Sequence, residues 1–323
     1  MSIGPQAARL LRTDDPSFSR RTRFAGLRRD GKEPPMANGI IIIDKPMDWT
    51  SMDVCAKIRG ILREKRVGHG GTLDPMATGV LPVFVGQATR AVEFAENGRK
   101  EYVAGLRLGQ VTTTQDTSGE TLETHPVTAD RSAVEAVLSR FLGEISQIPP
   151  MYSAIKINGQ KLYDLARKGK EVERKPRSIS IYELELVEQV SETDYVLRCV
   201  CSKGTYIRTL CHDIGQALGC GGTLYSLRRT MAAGFTLADA VTLDDVQAQG
   251  EALLRAADSL FAEHPALTLP SPGKEKRVKN GNPVTIDGLA DGLYRVYGQD
   301  GTFLCLSRAE KGLLTSIKNF FGA

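Results

Sequence analysis

The sequence predicts a mixed α+β protein with a larger body and a small β-rich C-terminal part. Three observations predict it. Strand-length apolar and alternating stretches mingle with helix-spaced ones, in no regular β-α-β-α order. A break rich in Pro and charge falls at Pro265-Ala-Leu-Thr-Leu-Pro-Ser-Pro-Gly-Lys-Glu-Lys-Arg277. Beyond it, short strands alternate with the turn signals Asn280-Gly-Asn-Pro283, Asp287-Gly288, Asp291-Gly292 and Gln299-Asp-Gly301. At 323 residues the chain exceeds the usual size of one domain, which agrees with two folded parts.

Taken in order, the chain opens on a basic stretch. Arg9, Arg12, Arg20, Arg21, Arg23, Arg28, Arg29 and Lys32 stand against Asp14, Asp15, Asp30 and Glu33, with few large apolar residues between. It has no secretory apolar segment and reads as a disordered basic arm, residues 1–38. Gly39-Ile-Ile-Ile-Ile-Asp-Lys-Pro46 reads as a short buried strand stopped by Pro46. Thr50 or Ser51 then caps a helix whose Val54, Ile58, Ile61 and Leu62 share one face. Gly79-Val-Leu-Pro-Val-Phe-Val-Gly86 is an apolar segment, and Glu101 to Gly109 alternates as a strand does. Val134, Val137, Leu138 and Phe141 give Thr128–Leu142 helical spacing. Strands are expected at Ser178–Val187 and Tyr195–Cys201, and a helix at Tyr206–Leu218. The body thus spans 39–262 and the β-rich appendix 263–323.

Composition narrows the class. Hydrophobic residues make up 41% and charged residues 25%, enough for a real core. Forty-two Lys+Arg against 38 Asp+Glu leave a net charge of +4, compatible with an anionic partner. The longest aliphatic run, Ile40–Ile43, is far too short to span a bilayer. Cys55, Cys199, Cys201, Cys211, Cys220 and Cys305 form no C-x-x-C pair, and Cys211-His212 with Cys220 matches no standard zinc spacing. Reduced thiols in a cytoplasm, and no metal, are expected.

Two segments carry candidate chemistry. In Gly68-His-Gly-Gly-Thr-Leu-Asp-Pro-Met-Ala-Thr-Gly79 the glycines permit close backbone approach to a ligand, and Pro75 stiffens the frame behind Asp74. No Gly-Lys-Ser/Thr follows, so this is not a Walker A loop, nor is it G-x-G-x-x-G. By itself it reads equally well as a turn whose Asp bonds its own backbone. In Ser202-Lys-Gly-Thr-Tyr-Ile-Arg208, Arg208 is suited to pair a carboxylate or phosphate. The i, i+2 spacing of Tyr206 and Arg208 suits an extended lead into a helix. Leu227-Arg228-Arg229 adds two cations beside an apolar residue.

Together these segments resemble the bacterial tRNA pseudouridine-55 synthases, the TruB family. The resemblance rests on Gly68-His-Gly-Gly-Thr-Leu-Asp-Pro-Met-Ala-Thr-Gly-Val-Leu-Pro82, Ile43-Asp-Lys-Pro46, Ile148-Pro-Pro-Met-Tyr-Ser-Ala-Ile-Lys156, Cys201-Ser-Lys-Gly-Thr-Tyr-Ile-Arg-Thr209 and Leu227-Arg-Arg229, in family order. Lys279-Asn-Gly-Asn-Pro-Val284 looks like the start of the family's C-terminal PUA domain. The resemblance implies a pseudouridine synthase domain with a mixed, mainly antiparallel sheet and a PUA-like RNA-binding domain. It implies isomerisation of one uridine in the T loop of tRNA, by a monomer needing no cofactor, metal or protein partner. Asp74 matches the family's catalytic aspartate, Arg208 its ion-pair partner and Tyr102 the tyrosine stacked on the target ring. His69, Tyr206 and Leu227 match substrate-contacting positions, and Lys45 with Pro46 the first motif, mainly a support. Two departures stand out: Gly70 where the family usually carries Thr, and Thr113 where it carries an acid, though Asp116 is kept. Two alternatives are a guide-RNA-dependent synthase subunit and a tRNA-binding or tRNA-folding protein with dispensable chemistry.

Overall fold

The computed structural model describes residues 37–153, 155–157 and 159–321. The basic arm predicted over 1–38 therefore lies, up to residue 36, outside the described residues.

Eighteen strands among the described residues build two main sheets and two small two-stranded ones. The body contains β1 (Gly39–Lys45), β2 (Val67–His69), β3 (Thr78–Val85), β4 (Lys100–Leu108), β5 (Gln110–Thr112), β6 (Thr121–Thr124), β7 (Gly143–Gln147), β8 (Lys156–Ile157), β9 (Gln160–Lys161), β10 (Arg177–Gln189), β11 (Asp194–Cys201), β12 (Gly222–Ala232) and β13 (Phe235–Thr236). Its helices are α1 (Ser51–Leu62), α2 (Val92–Asn97), α3 (Arg131–Leu138), α4 (Leu162–Ala166), α5 (Ile207–Ala217) and α6 (Leu243–Gln249).

The main sheet runs β1-β3-β12-β4-β11-β10-β7, with β2 added to β3 and β13 to β12. All its pairings are antiparallel except β3 with β12. The two small sheets pair β5 with β6 and β8 with β9. The run Ile40–Ile43 is unbroken because β1 is covered on both faces. Ile41 and Ile43 enter one core beneath α1, α3, α5 and α6, while Ile40 and Ile42 enter a second with Phe84, Ala95 and Phe261. The parallel β3–β12 contact needs Gly79, at φ +101°, because a Cβ there would meet the backbone of Arg229.

Local signals set the element ends. Thr50 caps α1 in a reciprocal capping box with Asp53. Asp130 caps α3, which yields to a 3-10 turn at Ser139 and so is shorter than the predicted Thr128–Leu142. The spacing of Tyr195–Cys201 puts Cys199 and Cys201 on one face of β11, both buried.

The second sheet is formed by β14 (Ala266–Thr268), β15 (Val284–Thr285), β16 (Gly292–Tyr297), β17 (Phe303–Glu310) and β18 (Leu313–Asn319), in the order β14-β16-β17-β18-β15. The charged break read at 265–277 is folded, not a bare linker. Ser271 caps α7 (Pro272–Lys279), whose Val278 is buried with Leu269, Val296 and Leu304. The apolar residue gives a charged helix a face to bury, which composition alone obscured. Leu306 and Phe320 of this sheet join the second core of the body, and Ala37–Ala323 forms one compact unit.

Candidate active site

A cleft of ≈ 380 Å³ opens where the loop after β2, the start of α5 and the strands β4 and β12 converge. Of the residues singled out in sequence, Asp74, Tyr102, Tyr206, Arg208 and Leu227 line it; His69 and Lys45 do not.

The loop carrying Asp74 is held by side chains that bond its backbone. Ser51 Oγ accepts from the Leu73 amide at 2.9 Å and donates to the Leu73 carbonyl at 3.2 Å. The fully buried Lys45 ammonium donates to the carbonyls of Pro46 at 2.8 Å, Trp49 at 2.5 Å and Pro75 at 3.2 Å. Burial pushes its pKa down to about 8. All three protons are thus spent on the frame of the loop, which makes Lys45 a support and leaves it no donor for a ligand. The Asp48 amide adds a further bond to Pro75 O at 2.9 Å.

On this frame the Asp74 side chain stays 39% exposed, while its partner is nearly enclosed. Arg208, 5% exposed, places Nε 2.9 Å from Asp74 Oδ2 and 3.7 Å from Asp116 Oδ2. Its terminal nitrogens donate to Thr114 O at 2.9 Å and Tyr152 O at 2.7 Å. Asp116 is itself oriented: its Oδ1 accepts from Thr114 Oγ1 at 2.7 Å and the Ser118 amide at 3.0 Å. A guanidinium fixed at four points pairs one half-open carboxylate and holds it in the lining of the cleft. In sequence Asp116 stands only as a family acid that is kept; its place beside Arg208 needs the fold.

Tyr102 and Leu227 form the floor. In the β4–β12 register Tyr102 faces Arg229 and Ala104 faces Leu227, so the ring and the Leu side chain emerge on one face of adjacent strands. Burial pushes the Tyr102 hydroxyl up to about 12, so it stays neutral near pH 7. Tyr206, the last extended residue before α5, has its backbone gripped by Gln147: its amide donates to Oε1 at 2.8 Å and its carbonyl accepts from Nε2 at 3.1 Å. Three further cations, Lys100, Lys203 and Arg229, line the same cleft. Lys203 and Arg229 lie in the segments Ser202–Arg208 and Leu227–Arg229 singled out in sequence, but no sequence pattern assigns them or Lys100 a role at the site, and β12, which carries Arg229, shows no strand signal.

His69 sits in β2 beside Val83, and burial and then the nearby Arg229 lower its pKa. The two family departures find different explanations. Position 70 does not face the cleft: a Cβ on Gly70 would come within 2.7 Å of Ala95 Cβ in α2 and 3.0 Å of Phe84. The glycine therefore answers to packing under α2. Thr113 is exposed, its Oγ1 accepting from the Glu120 amide at 3.1 Å, and Asp116 is the acid that reaches Arg208.

An aimed carboxylate above an aromatic and aliphatic floor, ringed by cations, is built for a planar base on an anionic backbone. Residues 59–207 match the model of the TruB family pseudouridylate synthase (N terminal domain), and residues 208–260 that of the tRNA pseudouridylate synthase B C-terminal domain. The tRNA pseudouridine synthase B of Alkaliphilus oremlandii is 46% identical over 81% of this chain and 88% of its own length. That of Pseudomonas fluorescens is 45% identical, over 83% and 90%. Among solved structures, a Cbf5–Nop10–Gar1 complex matches with a TM-score of 0.68 at 27% identity, over 88% of this chain and 86% of the matched one. The fold is a pseudouridine synthase domain joined to a PUA-like sheet. With two adjoining family models and close relatives along most of its length, the chain belongs to the TruB family of pseudouridylate synthases.

Proposed function

We propose that the protein isomerises uridine to pseudouridine at position 55, in the T loop of tRNA, acting alone in the cytoplasm. The observation that carries the reading is Asp74, half-open and paired with the enclosed Arg208 at 2.9 Å, above Tyr102 and Leu227. A base inside a folded loop must leave its stack to reach such a cleft. Tyr102 and Leu227 then hold the uracil ring, and Tyr206 borders it. The C1′–N1 bond breaks, the ring turns, and C5 bonds C1′. The Asp74 carboxylate serves this step either by adding to the sugar carbon or by removing a proton. Substrate and product are isomers, so the reaction needs no redox cofactor and no external co-substrate.

In this proposal residues 39–262 do the chemistry and 263–323 add RNA affinity. Lys274, Lys276, Arg277 and Lys279 on α7 supply cations for phosphates, which position a nucleic acid without reading its sequence. The test is to incubate the purified protein, without other components, with an unmodified tRNA transcript. Pseudouridine at position 55 supports the reading. Conversion only after adding a guide RNA would favour a guide-dependent subunit instead. Binding without any conversion would favour a tRNA-folding protein.

A further inference from the structure

Two arginines, Arg208 and Arg229, line the cleft, and Arg228 stands next to Arg229 on β12; the three are not equivalent. Arg208 has Asp74 at 2.9 Å, and Arg228 has Asp44 at 2.7 Å. Arg229, at 1% exposure the most enclosed of the three, has no carboxylate within ion-pair distance among the described residues. Its guanidinium is caged by carbonyls instead: Nε donates to Val80 O at 2.7 Å and Nη2 to Gly71 O at 3.1 Å. Tyr102 stands directly across from it on β4, on the same face of the sheet. A buried cation without a counter-charge is costly, and carbonyl dipoles offset that cost only in part. A rule broken this way at the edge of a cleft points to use in the reaction.

We propose that Arg229 is a positioning residue, tying Tyr102 and the Asp74 loop to one buried positive charge that stabilises the detached uracil. The inference rests on the isomerisation proposed above. When the C1′–N1 bond breaks, its electron pair leaves with N1, and the uracil turns as an anion with charge spread onto its oxygens. C5 then bonds C1′; the proton lost from C5 is matched by one gained at N1. The negative charge therefore exists only between the two bonds, above Tyr102 and Leu227. Leu227 and Arg229 are i, i+2 on β12 and share its face, so the guanidinium sits beside that floor. A cation already fixed there favours the anionic state over the bound uridine and needs no reorganisation. Through Gly71 O it also holds the loop three residues ahead of Asp74. Lys100, like His69, is held less basic by burial first and by the nearby Arg229 second.

The experiment compares Arg229→Lys, Arg229→Gln and Arg229→Met in the full chain, each alone and with Tyr102→Phe. It reads single-turnover rate at saturating tRNA, tRNA affinity and thermal unfolding. Gln and Met are expected to lose on the order of 10²–10³-fold in rate, the scale of one lost stabilising donor at a developing charge. Affinity for tRNA should hold, and Lys should recover part of the rate because it keeps the charge. Losses at 229 and at Tyr102 should be less than additive, because they act as a unit. A Gln variant at the wild-type rate, or a rate loss matched by an equal loss of affinity, overturns the proposal. So does failure of all three variants to fold, which would assign Arg229 to the fold alone. The wild-type control keeps the two ideas apart. If it converts no uridine, the reaction is wrong; if it and the Gln variant convert alike, only the role of Arg229 is.

Discussion

Around Asp74, side chains are spent on backbone: Lys45 on three carbonyls, Ser51 on both polar groups of Leu73, Arg208 on Thr114 and Tyr152. At the seam between the body and the C-terminal sheet the contacts are rings. Phe261 lies edge-on to Phe94 at 5.2 Å between centroids and packs on Phe320 at 5.8 Å, and Phe320 stacks on Phe303 at 5.0 Å. Only a thin polar rim accompanies them, such as Arg90 to the carbonyls of Asn319 and Phe321, Tyr297 to Asp258, and Lys318 to Glu93. Hydrogen bonds are directional and set one atom's place, whereas apolar burial is not directional and holds whole surfaces together. The cleft is thus built for position and the seam for cohesion. Damage to the first should appear in rate, and damage to the second in stability.

The largest effect that would break this division is at Asp74. Asp74→Asn keeps the shape but gives a poor base and nucleophile, so single-turnover conversion should fall by on the order of 10³-fold. Its tRNA binding and unfolding temperature should stay as in the wild type; a near-normal rate would remove Asp74 from the chemistry. At the seam, Phe261→Ala empties a site that is 3% exposed and should cost about 3–5 kcal/mol in a denaturant titration. The rate per folded molecule should persist. Truncation near residue 263 is not an equivalent test, because it would uncover Phe261 and the second core along with it.

Gly70→Thr separates the two regions more finely, because position 70 belongs to the site in sequence and to packing in space. Crowding Ala95 and Phe84 should cost about 1–3 kcal/mol, and a paired Ala95→Gly should recover part of it. A gain in activity without loss of stability would mean that position 70 meets the RNA. Lys45 gives a pH signature. Its amine is charged in both states below pH 8, and the folded state gives up the proton first, at about 8 against an ordinary 10.5. Between these values the unfolded chain binds more protons, so this group makes stability rise with pH. The Asp74 loop meanwhile loses one hydrogen bond, worth up to about tenfold in rate. A rate that falls above pH 8 while the protein does not unfold is the expected result; coincident unfolding would contradict it. The smallest effect belongs to the seam's rim. Glu93→Gln should cost less than about 1 kcal/mol, since both partners of that ion pair are well exposed.

Much was legible in the sequence because it is set by near neighbours. Thr50 with Asp53 starts α1, Pro46 follows the end of β1, and the alternation of 101–109 makes β4. The motif around Asp74 and the segment ending at Arg208 named the two halves of one ion pair before any coordinate placed them together. Other features were not legible. β12 is central and covered, so it carries no clear alternation, and its Arg228 and Arg229 mask a strand as a surface cation cluster. A charged helix stands where composition shows only a break rich in Pro and charge, and its one buried residue is Val278.

By itself, then, the sequence determined where several strands and helices begin, which family motifs are present, and which carboxylate and arginine belong to them. The tertiary structure alone decided that Lys45 is spent on carbonyls, that Gly70 faces Ala95, that Asp116 shares Arg208, and that Arg229 is buried without an acid. The physical reason is the range of the interactions. Caps and alternation act over a few residues, but Arg208 meets Thr114 across 94 positions and Arg229 meets Gly71 across 158. Burial, desolvation and pairing depend on which distant segments the sheet brings side by side, and no local pattern encodes that choice.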